Sequence, residues 1–308
     1  MKISIVTAYY NRKKLFRNTL LQLKYSSVTD FEVIAVDDGS TEENRLEDLQ
    51  NEFSFLKIIR IEPKDKWYIN PCVPFNMGIN AAKGDIIILQ NPECLHYGDV
   101  LKYAVDHLDN NEYISFAAYS LDKKSTDQLN ADTISRLQSG WLSFLPQKVE
   151  YDGEAGWYNH SLYKPRGFHW CAAINRCDLL DLGGFDERFA LGVGFDDEEL
   201  LLRIQKKGMK TVIVDEPFVL HQNHFQVPSG GDKHVNPFYS RKDAALLWKK
   251  NEYLIKHYTG KSRAWKARAR SAFSIRLSDF ILTNMLKRKA GYSDLLRRIK
   301  NKLARLSR

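Results

Sequence analysis

The chain has 308 residues, enough for one large α/β domain with an appendage or for two modest domains. Its 44% hydrophobic and 27% charged residues suit a soluble globular protein, and its four cysteines (Cys72, Cys94, Cys171, Cys177) form no CxxC pair, which argues against a disulfide framework or a structural zinc site. The net charge of +8 is uneven: residues 261–308 carry 15 Lys/Arg against 2 Asp/Glu, so a body at −5 bears a tail at +13.

Strand and helix periods alternate along the first hundred residues. Ile3–Thr7 predicts a buried strand with no leader ahead of it, and Lys14–Tyr25 an amphipathic helix carrying Leu15, Leu20, Leu21 and Leu23. Phe31–Val36 predicts a second strand, Glu43–Phe53 a helix and Leu56–Ile61 a third strand. Asn76–Ala82 reads as a helix closed by Gly84 at its C-cap, followed by a fourth strand over Asp85–Leu89. Continuous apolar strands alternating with helices imply a parallel sheet covered on both sides. Ligands in such folds bind at the carboxyl ends of the strands, here Thr7–Arg12, Asp37–Ser40 and Gln90–His96.

Residues 120–165 are polar and aromatic and predict loops and short helices over the site. Order resumes with Cys171–Asn175, Asp178–Leu182, a helix Glu198–Lys207 stopped by Gly208, and a strand Thr211–Val214 before an Asp215-Glu216-Pro217 turn. Beyond about Lys261 a helix is predicted, with Leu277, Phe280, Ile281, Met285 and Leu286 along one side. No window reaches the apolar length of a membrane span. The cysteine pattern suits a reducing, cytosolic compartment.

Four segments carry chemistry. Asp37-Asp38-Gly39-Ser40 offers a carboxylate to a ribose hydroxyl or a base N–H, or else is a turn with Ser40 as helix N-cap. Asn91-Pro92-Glu93 can reach a cation or a sugar hydroxyl, or is an ordinary Asn-Pro turn. Phe195–Arg203 sets four adjacent acids at a helix start. The helix dipole favours acids there, but mutual repulsion or burial also raises a carboxyl pKa and makes a better base. Gly192-Val193-Gly194 lets the backbone pass close to a ligand. His221 and His224 can converge on one metal if their segment turns.

In this order the segments resemble the GT-A glycosyltransferases, above all the inverting family 2. The matching runs are Ile3–Arg12, Val36–Ser40, Asn76–Ile79, Ala82–Ile86, Gly183–Glu187 and Asp196–Arg203, within roughly residues 1–225. The later part is also similar to the β-1,4-galactosyltransferase pattern, through Gly192–Asp197 and His221/His224. The resemblance implies a Rossmann-like mixed sheet flanked by helices over residues 1–260, with a nucleotide-binding half (1–100), an acceptor-binding half (101–260) and a basic helical extension (261–308). It implies that Ala8, Tyr9, Asp38 and Asn76 serve the nucleotide, and that Asn91 and Glu93 match the two acids of the family's Asp-x-Asp motif. Either a divalent cation (Mn²⁺ or Mg²⁺) would then be held by Glu93 with His221 and His224, or cationic side chains would stabilise the leaving diphosphate. Asp197 matches the base that deprotonates the acceptor, Asp196 its acceptor-positioning neighbour, and Arg203 a brace for the helix.

Two residues depart from the pattern: Asn91 replaces the first aspartate, and Phe75 stands where an arginine is usual. The implied reaction moves a sugar from a UDP-sugar to a hydroxyl of a glycan or lipid-linked glycan. A nucleotidyltransferase would instead need a Gly-rich basic loop after the first strand, which Ala8-Tyr9-Tyr10-Asn11 is not. A non-catalytic nucleotide-sugar or carbohydrate binder is the other alternative that Asn91 raises. Trp141, Trp157 and Trp170 are candidates for stacking on sugar faces or for plain packing. The basic tail reads as a contact for an anionic membrane surface on the cytoplasmic side, a nucleic-acid binder, or a solvated helical pair packing on the core. It lacks an aromatic array, which disfavours nucleic acid, and the membrane surface is preferred.

Overall fold

The computed structural model describes residues 2–140, 148–152, 155–224 and 243–306, the last seventeen of these by backbone alone. Its strands are β1 (Ile3–Tyr9), β2 (Phe31–Asp37), β3 (Leu56–Arg60), β4 (Ile86–Gln90), β5 (Cys94–Tyr97), β6 (Glu112–Ser120), β7 (Gly156–Asn159), β8 (Cys171–Asn175) and β9 (Lys210–His221). Between and after them run α1 (Lys13–Leu23), α2 (Glu47–Glu52), α3 (Cys72–Ala81), α4 (Val100–His107), α5 (Lys123–Asp127) and α6 (Ala131–Arg136), then α7 (Arg176–Leu182), α8 (Asp196–Lys207), α9 (Ala244–Leu254) and α10 (Ala272–Leu306).

The strands form one sheet in the order β3-β2-β1-β4-β8-β6-β9-β5, with β7 added along β6. Strands β3, β2, β1 and β4 are parallel, as the apolar runs imply. Strand β8 enters antiparallel to both β4 and β6, and β5 antiparallel to β9, so the sheet is mixed. An apolar run on a strand reports burial of both faces, not direction, which is why sequence pattern alone left the second half open. This is a GT-A fold. Strands from 1–100 and 101–260 are interleaved within the one sheet, since β4 pairs β8 and β9 pairs β5.

Alternation along each strand divides the core. Ile3, Ile5, Val33, Ile86 and Ile88 meet Phe16, Leu20, Leu101 and Ala104 from α1 and α4 on one face. Val6, Ile34, Ile87 and Leu89 meet Phe75, Ile79, Leu179, Leu200 and Ile204 from α3, α7 and α8 on the other.

Three local expectations change. Gly84 does not cap α3, whose C-cap is Ala82. It lies against β1, where an added Cβ would fall 2.5 Å from the Ser4 nitrogen, so only glycine permits the approach. The Asp215-Glu216-Pro217 turn is a bulge inside β9: Phe116 faces Val214 and Ala118 faces Val219 across it. Pro217 has no N–H to give a ladder, while Asp215 accepts the Ser161 N–H at 2.8 Å. In the tail, Ile275 and Leu282 are buried against the body and Met285 and Leu286 are half-buried, so the expected stripe shortens.

Candidate active site

The carboxyl ends of β1, β2 and β4, the N-terminus of α8 and the end of β9 open onto one cleft of about 560 Å³. Ala8, Asp38, Asn91, Glu93, Asp196, Asp197, His221 and His224 line it. Residues more than 200 positions apart thus share one cavity. Two expected site residues lie elsewhere. Tyr9 alternates to the opposite face of β1 from Ala8, is fully buried, and donates its hydroxyl to the Asn44 carbonyl at 2.7 Å. Its neighbour Tyr10 lines the cleft instead. Asn76 is taken up in structure: it accepts the Phe185 N–H at 2.8 Å and donates to the Phe185 carbonyl at 2.9 Å and to Glu187 at 3.0 Å. It fixes the turn after α7 rather than a nucleotide.

The two aspartates after β2 divide their work. Asp37 is buried, pairs with Arg60 at 2.9 Å and accepts the Ser40 N–H at 2.9 Å, which shapes the turn. Ser40 caps no helix; its hydroxyl accepts the Asn11 N–H at 3.0 Å. Asp38 faces the cleft with Tyr68 Oη at 2.5 Å on one oxygen and Lys66 Nζ at 2.6 Å on the other. Burial pushes its carboxyl up, against the opposing pull of Lys66.

Glu93, between β4 and β5, is the hub of a buried cluster. Arg12 Nη1 donates to both its oxygens at 2.9 Å, while His221 Nε2 and His224 Nε2 stand 3.0 and 3.3 Å from Oε1. Burial pushes the Glu93 carboxyl up, but Arg12 and the histidines outweigh it and hold it well below the usual carboxylate range. Burial, with Arg12 beside it, lowers His224 to about 4, so its ring is neutral at pH 7 and keeps a lone pair. The segment after β9 turns because Gln222 donates from both its backbone N–H and its Nε2 to the Glu93 carbonyl, at 3.1 and 3.0 Å. One carboxylate and two imidazoles, with ligand atoms within 4.8 Å of one another, fit a divalent cation, and the nitrogen share suits Mn²⁺ better than Mg²⁺. The same carboxylate is paired with the Arg12 guanidinium, which also lines the cleft.

The acidic run separates into distinct parts. Glu199 accepts Arg203 Nε and Nη2 at 2.7 Å each, and Arg203 also reaches the Leu182 and Gly184 carbonyls at 2.7 Å. All of this is buried, and it ties α8 to the turn after α7. Asp196 is buried and accepts from Asn70 Nδ2 at 3.2 Å; burial and the Asp197 charge push its carboxyl up. Asp197 accepts the backbone N–H of His169 on Oδ1 at 2.9 Å, and the His169 ring Nδ1 lies 2.5 Å from the same oxygen. Burial pulls the His169 imidazole down, but Asp197 and its neighbours raise it above its ordinary value. The described contacts of Asp197 all fall on Oδ1. Phe195 enters the helix at φ +67°, an unfavourable region for a bulky side chain, and so marks local strain at the site.

Gly192 and Gly194 have a packing reason beyond approach to a ligand. A Cβ on Gly192 would meet Asn251 Oδ1 at 2.1 Å, and one on Gly194, at φ +67°, would meet Trp248 at 2.9 Å. Helix α9 therefore closes this wall. Of the tryptophans, Trp170 lines the cleft and stacks on Tyr158 (5.5 Å, 7°). Trp157 packs edge-on against Tyr119 instead, and Trp141 lies outside the described residues. Sequence reasoning gave no role to Arg12, Asn70 or His169. Each sits in a loop outside any periodic pattern, and its partner is more than 25 positions away.

Comparison with known proteins bears on the family and the fold. The profile of glycosyl transferase family 2 matches residues 4–168, over half the chain. The amylovoran biosynthesis glycosyltransferase AmsB of Erwinia amylovora is 26% identical across 98% of this chain and 97% of its own length. Chondroitin synthase of Escherichia coli is 28% identical across 71% of this chain, which spans about a third (34%) of that relative. Among solved structures, GalNAc-T7 with UDP, GalNAc and Mn²⁺ superposes with a TM-score of 0.54 at 15% identity, over 83% of this chain and 48% of that one. At that identity the likeness is one of fold.

Proposed function

Because the chain belongs to glycosyl transferase family 2 and is a nucleotide-sugar-dependent transferase, we propose that it inverts the donor's anomeric centre with Asp197 as base. The observation that carries this reading is one cleft shared by Asp197, at the start of α8, and the Arg12–Glu93–histidine cluster, at the ends of β4 and β9. One end offers a carboxylate to an incoming hydroxyl, and the other a carboxylate and two imidazoles that would hold a cation against a leaving diphosphate.

The donor is proposed to be a UDP-sugar, with Asp38 accepting from the nucleoside and Ala8 and Asn91 flanking it. Asp197 removes the proton from the acceptor hydroxyl, whose oxygen attacks the anomeric carbon from the face opposite the nucleotide. His169 holds Oδ1 from two directions, which leaves Oδ2 for the acceptor and makes His169 a positioning residue. Asp196, whose carboxyl burial and the Asp197 charge push up, positions the acceptor beside Asp197. Bound at Glu93, His221 and His224, a divalent cation would neutralise the departing diphosphate. Arg12 supplies charge beside it, in place of the second acid that Asn91 lacks. The acceptor is proposed to be a glycan or lipid-linked glycan, met at an anionic membrane surface on the cytoplasmic side.

A panel of UDP-, GDP- and dTDP-sugars tests this reading through thermal stabilisation and slow donor hydrolysis, with and without Mn²⁺. UDP-sugars should raise Tm most, with hydrolysis increased by Mn²⁺. No Tm shift and no hydrolysis with any nucleotide sugar would overturn the reading.

A further inference from the structure

Helix α10 leaves one side in water that its composition does not suit. Phe273, Leu277, Phe280 and Ile281 are 77, 51, 66 and 62% exposed, although each is large and apolar. Their spacing of i, i+4, i+7 and i+8 puts them on one helical face. The opposite face holds the helix to the body: Ile275 and Leu282 are buried, and Asp279 pairs with Lys250 at 2.5 Å. The stripe is thus fixed in place and turned outward.

Charge states what should cover it. Exposed cations bracket the stripe, with Arg263, Arg268 and Arg270 before it and Lys287 and Arg288 after it. Asp279, the sole acid between residues 261 and 289, is neutralised by Lys250. A second copy packed through this stripe would bring two +13 tails together. A nucleic acid would satisfy the cations but leave the aromatic and aliphatic side chains uncovered. A surface with anionic headgroups above an apolar interior meets both demands at once. Among the described residues no helix is long and apolar enough to cross a membrane, so the contact is in-plane.

We propose that the Phe273–Ile281 face of α10 docks on an anionic lipid bilayer, seating its four apolar side chains at the headgroup–acyl boundary with the flanking cations on the headgroups. The inference deepens the reading of a lipid-linked acceptor and rests on it only for its purpose.

The test is flotation of the full chain with phosphatidylcholine vesicles containing about 30% phosphatidylglycerol, against pure phosphatidylcholine. Binding is expected only to the anionic vesicles, falling about tenfold or more in F280E/I281E and weakening in high salt. Both positions are exposed, so the variant should keep wild-type Tm and donor hydrolysis. Unchanged vesicle binding by the variant, or no binding by the wild type, would overturn the proposal. So would a wild-type dimer in solution that the variant abolishes, since a second copy would then own the face. Sugar transfer to a soluble acceptor without vesicle binding would refute this surface alone; vesicle binding without transfer would support it and refute the functional reading.

Discussion

Asp197→Asn should lower kcat by about 10²–10⁴-fold, the usual contribution of a positioned general base, with little change in nucleotide affinity. The amide has the carboxylate's shape, and its oxygen can still accept the His169 N–H that now meets Oδ1 at 2.9 Å. The helix start therefore stays where it is, and only the proton acceptor is lost. Asn70 continues to donate to Asp196 at 3.2 Å, so acceptor binding is expected to survive as well. Steady-state transfer assays beside calorimetric UDP titration separate the two quantities. A matching loss of nucleotide affinity would mean that Asp197 binds donor rather than activates acceptor. Full activity would return the four acids to a helix-dipole role. Lost transfer also separates an enzyme from the non-catalytic binder that Asn91 raises, which would have no transfer to lose.

Arg203→Met should destabilise the fold by about 3–5 kcal/mol, because it strands a buried carboxylate without its counter-charge. Arg203 is 2% exposed and Glu199 1%. The substitution also takes Arg203 away from the Gly184 carbonyl, whereas the Leu182 carbonyl keeps the Ala267 N–H at 2.8 Å. Urea titration at constant m-value reads the loss. The double variant E199M/R203M should recover part of it, since removing both charges abolishes the desolvation cost of the lone carboxylate. Recovery stays partial because the Gly184 carbonyl has still lost its donor. A single variant as stable as wild type would mean that water reaches this pair and that it does not anchor the start of α8.

Much of this architecture was legible in the sequence because it rests on short-range patterns. The apolar runs of β1, β2 and β4 and the helix ending at Gly208 need only a local window. Asp38, Glu93 and Asp197 stood out because each follows or begins a periodic element at a sheet end where ligands bind. What escaped was set by distant partners. Tyr9 and Tyr10 are equal in sequence, and only the strand's alternation sends one to the core and the other to the cleft. Asn76 reads as a polar site residue until the turn at Phe185 takes its amide. Arg12 and His169 gain meaning from Glu93 and Asp197, contacts made across 81 and 28 positions. Burial explains the rest. A neutral His224 beside an ionised Glu93 depends on desolvation and on Arg12, neither of which spacing reveals.

The central claim is that Asp197 directs a single in-line displacement in this cleft. Proton NMR of the glycosidic product from an α-linked UDP-sugar tests it most directly. A product formed as the β anomer from the outset, and formed about 10²–10⁴-fold more slowly by Asp197→Asn, is the predicted result. A product that keeps the α configuration would contradict the account.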